Sequence, residues 1–330
     1  MTETSGTTKK PLKPPANILL RIHNLSTHYF SRRGVLKAVD RVSMDLKKEE
    51  FVGIVGESGC GKSTLAFSIM RLILPPGEIV DGEIIFNGKN LLKLSEEEMR
   101  RVRGKEIGMI FQDPMTSLDP LEKIGDQIVE TIQMHENIGK KEALEKAMEL
   151  LESVGLSGDR VNYYPHQLSG GQRQRIMIAL AIALNPNLLI ADEPTTALDV
   201  IVQEKIMEIL KKMTREGRSV ILITHDFSLA AEKSDKIVIM YAGWIVEMGE
   251  SKKLVNEPLH PYTRGLINSV PDVWIDRDIR PMPGFPPDLI SPPEGCRFHP
   301  RCPQAMEKCR IKEPPVVEVD SRMVKCWLYG

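Results

Sequence analysis

The sequence predicts an α/β fold: a mostly parallel sheet with helices on its faces. Two observations lead there. Short apolar runs of strand character alternate with stretches of helical periodicity along most of the chain. In addition, Gly56-Glu57-Ser58-Gly59-Cys60-Gly61-Lys62-Ser63-Thr64 fills the pattern G-x-x-x-x-G-K-[ST] between a strand-like run and a helix-like one.

Taken in order, strands are expected at Leu19–Leu25, Val42–Leu46, Phe51–Val55, Glu83–Phe86, Glu106–Phe111, Leu188–Ala191, Ser219–Thr224 and Lys236–Met240. Helices are expected at Thr64–Ile73, Ser95–Arg101, Lys140–Val154, Gly171–Leu184, Val200–Arg215 and Phe227–Glu232. No convincing strand falls between Leu121 and Tyr164, which reads as a helical insertion. Beyond about Glu257 the texture changes. Pro and Gly become dense through Pro281–Pro293, and four of the five cysteines fall in the last 35 residues. That shift predicts a second, smaller module on a flexible, Pro-rich tail with little core of its own. No internal repeat is evident.

At 330 residues the chain holds one large domain with an appendage, or two domains. Its 44 basic and 45 acidic residues give no field that would draw it to nucleic acid or anionic lipid. The longest uncharged stretch, Ile176–Ala191, is interrupted by Asn185, Pro186 and Asn187 and falls short of the about 20 apolar residues a membrane span needs. Met1 to Asn17 is rich in Thr, Lys and Pro and lacks an apolar h-region, so it reads as a flexible tail, not a signal peptide. A cytosolic protein is expected, with docking on a membrane protein left open.

A strand–glycine loop–helix unit turns backbone N–H groups and the positive end of a helix toward one point, which suits a triphosphate. Gly56, Gly59 and Gly61 let the backbone approach it, Lys62 reaches the β- and γ-phosphates, and the Ser63 hydroxyl meets Mg²⁺. Ser58, Cys60 and Thr64 complete the loop; Cys60 reads as a small residue with no required chemistry. Leu188-Leu189-Ile190-Ala191-Asp192-Glu193 is an apolar strand ending in two carboxylates, about 130 residues after Lys62. Asp192 is expected to hold Mg²⁺ through its water shell and Glu193 to polarise an attacking water. The plainer reading is a strand followed by an acidic helix cap. Leu168-Ser169-Gly170-Gly171-Gln172 precedes a helix, so Ser169 is a candidate N-cap. The same stretch is a second anion-binding helix start. One triphosphate uses both only if the second comes from a neighbouring subunit.

With Gln112, Ala197-Leu198-Asp199 and His225 added, the set resembles the nucleotide-binding subunits of ATP-binding cassette (ABC) transporters, over roughly Leu19 to Met248. The resemblance implies a P-loop NTPase cassette: a RecA-like, mostly parallel core with an antiparallel β subdomain and a helical subdomain. It implies hydrolysis of ATP to ADP and phosphate in a head-to-tail dimer. In that dimer Ser169, Gly170, Gly171 and Gln172 of one subunit close over ATP held by the P-loop of the other. Tyr29, 27 residues before Gly56, resembles the aromatic that stacks on adenine; Phe30 is the neighbouring alternative and a core aromatic the plainer reading. Gln112 resembles the Q-loop glutamine that touches Mg²⁺ and reports to the membrane partner. Asp199 resembles a dimer contact and also reads as an ordinary N-cap. His225 resembles the switch histidine at the γ-phosphate.

Three further stretches narrow the resemblance. Phe111-Gln112-Asp113-Pro114-Met115-Thr116-Ser117-Leu118, His260-Pro261-Tyr262-Thr263-Arg264 and Gly295-Cys296-Arg297-Phe298-His299-Pro300-Arg301-Cys302-Pro303 are similar to subunits that energise oligopeptide and dipeptide import, a group that includes nickel importers. This implies two transmembrane permease subunits, a second ABC ATPase subunit (a paralogue or self), an extracytoplasmic peptide-binding protein acting indirectly, no nucleic acid, and the cytoplasmic face of the membrane. The expected division is a tail over 1–17, a cassette over 18–257 with its helical subdomain at about 121–164, and an extension over 258–330. A soluble ABC ATPase that remodels nucleic acid or ribosomes is the alternative. Those carry tandem cassettes or a long coiled coil, whereas only about 105 residues separate Lys62 from Leu168 here.

Cys296, Cys302, Cys309 and Cys326 are spaced C-x₅-C-x₆-C-x₁₆-C. In a reducing cytosol, clustered thiols point to metal more than to disulfides. The spacing lacks the C-x₂₋₄-C pairing usual for zinc. The resemblance implies a [4Fe–4S] cluster, with a structural role expected over redox sensing. Unligated buried cysteines stay open, and His299 is a weak substitute ligand.

Overall fold

A computed structural model describes residues 17–112, 118–196, 198–269 and 282–330. The chain begins with a long antiparallel hairpin, β1 (Ile18–Ser31) and β2 (Gly34–Lys47). β4 (Gly77–Phe86) and the short β5 (Lys89–Asn90) complete a four-stranded sheet in the order β2-β1-β4-β5. The sequence reading stopped the first strand at Leu25 and started the second at Val42. Asn24 and Arg41 sit there at positive φ, and the β1–β2 register shifts on either side of Leu25. Such bulges break the period-two alternation that marks a strand, so the far halves went unread.

The second sheet carries the site. Its parallel part comprises β3 (Phe51–Val55), β6 (Ile107–Ile110), β7 (Leu188–Asp192), β8 (Ser219–Thr224) and β9 (Lys236–Tyr241), in the order β9-β3-β8-β7-β6. All but Lys236 of these residues are buried, as continuous apolar strands covered on both faces must be. One face packs against the antiparallel sheet through Leu20, Ile22, Leu46, Ile54, Leu65, Ile223 and Val238. The other is covered by the helices Gly170–Ile182 and Val200–Arg215. The expected helical insertion is present as helices Ile124–Gln133 and Lys140–Ser153 and a 3₁₀ turn at Gly158–Asn162, joined to that second core by Ile128, Ile132, Ala147 and Leu151. The helix after the P-loop ends at Ile69, four residues earlier than expected, because Arg71 takes a positive φ.

The expected second, smaller module is joined to the cassette through the central sheet. β10 (Trp244–Glu250) pairs antiparallel with β9, and β12 (Arg322–Lys325) pairs with β10, followed outward by β11 (Val316–Val319). The C-terminal residues therefore prolong the central sheet. Their apolar side chains join Val55, Tyr241, Trp244 and Tyr262 in one cluster with Cys296, Phe298 and Cys309. A short Pro-rich stretch cannot build a core alone, and this one borrows the cassette's. No described helix is long and apolar enough to cross a membrane. The N-terminal tail up to Ala16, the segment Asp113–Ser117, Ala197, and the Pro-rich stretch up to Pro281 lie outside the described residues.

Candidate nucleotide site

Four neighbouring parallel strands end level with one another. Val55 lies opposite Thr224, Ile223 opposite Asp192, and Ala191 opposite Ile110. The loops that follow therefore bring Gly56–Gly61, His225, Glu193 and Gln112 out along one edge, where parallel sheets bind ligands.

After β3 the chain turns through the glycine loop into the helix Lys62–Ile69. Gly61 takes φ 108°, and a Cβ there would lie 2.0 Å from the Ala38 carbonyl oxygen. One on Gly56 would lie 2.2 Å from that of Met240. These two glycines are packing requirements. Gly59 faces open space and needs only its positive φ. The Lys62 ammonium donates to the carbonyls of Gly56 (2.7 Å) and Glu57 (3.1 Å), so the loop curls around its own cation. Cys60 is buried, and burial holds its thiol above the ordinary value.

Ser63 donates to Asp192 Oδ1 at 3.1 Å, joining the loop after β3 to the end of β7. Burial pushes the Asp192 carboxyl up to about 6, against the opposing Ser63 hydrogen bond. Glu193 follows with φ 47°, an uncommon conformation for a residue with a side chain, while its N–H donates to Ile223 O at 2.9 Å. Its Oε2 collects three neighbours: Gln112 Nε2 at 3.1 Å, Thr196 Oγ1 at 3.1 Å and His225 Nδ1 at 3.4 Å. The His225 side chain is 60% exposed. Residues from three loops thus meet at one carboxylate oxygen, open to solvent on one side.

A cavity of about 300 Å³ joins these parts. Ser58, Gly59, Gly61, Lys62, Ser63, Thr64, Gln112 and Glu193 line one end, and Tyr29, Leu36, Ala38 and Leu289 the other. Tyr29 was expected there; the neighbouring alternative Phe30 is exposed and does not line it. The signature residues do not line it either. Ser169 caps its helix, its hydroxyl accepting from Gln172 N while the Gln172 side chain accepts from Ser169 N. Gly170 has nothing within 4 Å of a would-be Cβ. Asp199 is exposed and caps Val200–Arg215, accepting from Val202 N at 2.9 Å, so its plainer reading holds.

The remaining sequence-predicted group lies apart from this cavity. Cys296, Cys302, Cys309 and Cys326, all free, line a closed space of about 10 Å³ with His260, His299, Phe298 and Trp327. Burial pushes the Cys296 thiol up to about 12. Among the described residues no group of three or more His, Cys, Asp or Glu side chains is arranged to hold a metal ion. Four thiols and no carboxylate are a donor set shared by zinc and iron–sulfur centres.

Comparison with known proteins gives the family. The family described as "ABC transporter" matches residues 39–196, and that described as "Oligopeptide/dipeptide transporter, C-terminal region" matches 246–309. A probable peptide ABC transporter ATP-binding protein, y4tR of Sinorhizobium fredii, is 48% identical over 95% of this chain and 96% of that protein. The chain belongs to the ABC transporter ATP-binding family. The dipeptide transport ATP-binding protein DppD of Bacillus subtilis is 47% identical, covering 94% of each. Among solved structures, the dimeric post-hydrolysis state of the ATP-binding cassette MJ0796 bound to ADP and Pi superposes with TM-score 0.65 and 31% identity, over 70% of this chain and 98% of that one. The ABC family match ends before β8, so His225 and the cysteines lie outside it.

Sequence reasoning missed four residues of the cavity and its carboxylate cluster; of these Ala38, like Leu36, lies on β2 before Val42. Thr196 carried a signal, since a hydroxyl three residues after Glu193 at a turn is placed to donate back to it. Leu36 lies in the unread half of β2. Leu289 carried none, as a lone Leu between Asp288 and Ile290 in Pro-rich chain has no pattern to read.

Proposed function

We propose that this chain is the ATP-hydrolysing subunit that energises uptake of di- or oligopeptides through an ABC transporter. The observation that carries the ATPase reading is the convergence of Lys62, Ser63 and Glu193 on one cavity, with buried Asp192 bonded to Ser63 behind its wall. The phosphate tail lies on the N–H groups of residues 59–64, with Lys62 at the β- and γ-phosphates. The Ser63 and Asp192 oxygens, 3.1 Å apart, and Gln112 suit Mg²⁺, a hard cation that takes oxygen ligands. Mg²⁺ bound there neutralises charge that develops on the phosphates. Glu193 polarises the attacking water, and Gln112, Thr196 and His225 hold its carboxylate. Tyr29, Leu36 and Leu289 face the base.

Ser169, Gly170, Gly171 and Gln172 of a second ATPase subunit close the exposed side, with Asp199 at that contact, since the chain's own signature does not reach its own cavity. Two permease subunits are the membrane partners, and an extracytoplasmic peptide-binding protein delivers the solute. They place this chain on the cytoplasmic face. An open apolar groove lined by Met70, Leu72, Phe111, Met177 and Leu180 adjoins Gln112 and suits a helix of a permease. The working division is a cassette over 18–257 and an extension over 258–330. Peptide as solute rests on the names of the relatives.

Cys296, Cys302, Cys309 and Cys326 hold a [4Fe–4S] cluster in the native protein. The all-sulfur donor set supports it, and the spacing disfavours zinc. Iron with acid-labile sulfide after anaerobic purification is expected; zinc without sulfide contradicts the assignment. Transport itself is tested by affinity isolation from the native membrane followed by reconstitution. Polytopic partners and peptide-stimulated ATPase activity are expected, and isolation with ribosomes or DNA instead overturns it.

A further inference from the structure

The glycine loop carries an acid beside the residues that line the cavity. Glu57 is the first variable residue of the motif, and an unpaired carboxylate there would oppose a triphosphate. Arg301, from the cysteine-bearing extension, meets it head on. Its Nη1 donates to Glu57 Oε2 at 2.7 Å and its Nη2 to Oε1 at 2.9 Å, a two-pronged pair. The Arg301 side chain is 5% exposed, and Nε is fixed by the Pro283 carbonyl at 2.9 Å. The same residue's backbone is held from a second side, where Glu57 N–H donates to the Tyr262 hydroxyl at 3.0 Å. Tyr262 is buried, and its own N–H donates to His260 Nδ1 at 3.0 Å.

We propose that Arg301 and Tyr262 are positioning residues for the nucleotide site: Arg301 cancels the Glu57 charge and, with Tyr262, sets the entry of the phosphate-binding loop. Neither touches ATP. The extension is thereby a working part of the ATP site and not only cover for the sheet. This rests on the nucleotide reading above.

The test measures Mg²⁺-ATP affinity and turnover for the full-length wild type, R301M, E57Q, the R301M/E57Q double variant and Tyr262→Phe. R301M leaves a bare carboxylate in the loop, so ATP binds about tenfold more weakly, the loss appearing in KM more than in kcat. Adding E57Q removes the offending charge and restores affinity to within about threefold of wild type. Tyr262→Phe keeps the ring but orphans the Glu57 N–H, and weakens ATP about threefold. Rescue is the deciding readout, because lost packing would not be repaired by removing a carboxylate. A double variant as weak as R301M, or R301M binding like wild type, overturns the proposal. Should R301M not fold, Arg301→Lys keeps the charge but one prong only, and a value between wild type and a tenfold loss is expected; wild-type affinity there overturns the proposal equally. A wild-type protein that binds no ATP fails the nucleotide reading instead.

Discussion

The loop end of the central sheet and its C-terminal edge are built on opposite terms. At the loop end, polar groups are gathered but left open: Glu193 accepts from Gln112 and Thr196, and His225, 3.4 Å away, stays mostly exposed. At the edge, charge is shut in. Arg297 pairs with Asp40 and lies 4.2 Å over the Trp244 ring, Lys325 pairs with Glu313 at 2.6 Å and lies 3.9 Å from the same ring, and both cations are buried. An open polar cluster has unmet capacity for a ligand, whereas a closed one holds pieces of chain in register. The two meet at Arg301 and Leu289, where the edge reaches the cavity.

Breaking the open end has the largest expected effect. Glu193→Gln removes the base while keeping the hydrogen-bonding shape, so turnover falls by about 10²–10⁴-fold with ATP still bound. Steady-state hydrolysis alongside nucleotide binding checks this, and normal turnover removes Glu193 from its role. Breaking the closed end moves stability instead. Arg297→Met leaves buried Asp40 only the Trp244 N–H and the exposed Arg41 as partners, and costs up to about 3–5 kcal/mol, read from urea unfolding. A loss below about 1 kcal/mol would show that the pair is not what ties the extension down.

Acidity sharpens the contrast. Asp192, raised to about 6 by burial, must be ionised to accept Mg²⁺, so the Mg²⁺ requirement climbs steeply as pH falls below about 6 and is flat above about 7. In the metal-free protein the sign reverses. A raised carboxyl favours the fold below its ordinary value of 3.8, and that contribution is withdrawn as pH rises through about 6. Isothermal titration with Mg²⁺-ATP across pH 5 to 8 reads the first effect, and an unchanged requirement would show that Asp192 does not hold the metal. The smallest effect is Leu289→Ala. It trims apolar surface from the base end, so affinity drops about threefold for ATP and turnover is spared. Equal loss for inorganic triphosphate, which has no base, would place Leu289 elsewhere.

The sequence made the open end legible because its chemistry is carried by residues next to strand ends. Lys62, Asp192, Glu193 and His225 each follow an apolar run that marks its own boundary. The bulges at Asn24 and Arg41 hid half the first hairpin, since they reset the alternation on which strand reading depends. The joining of the extension to the central sheet went unread because β10 and β12 pair across about 70 intervening residues. No local pattern announces that pairing. Nothing in the local sequence marks Arg297 and Arg301 as buried cations. Only their partners Asp40 and Glu57, far upstream, explain their burial.

The base of ATP is predicted to lie between the first hairpin and the C-terminal edge, beside Tyr29 and Leu289. Photolabelling with 8-azido-ATP, followed by peptide mapping, tests it most directly. Label that excess ATP suppresses is predicted on the peptides containing Tyr29 and Leu289. ATP-protected label confined to other peptides, with those two clean, would contradict it.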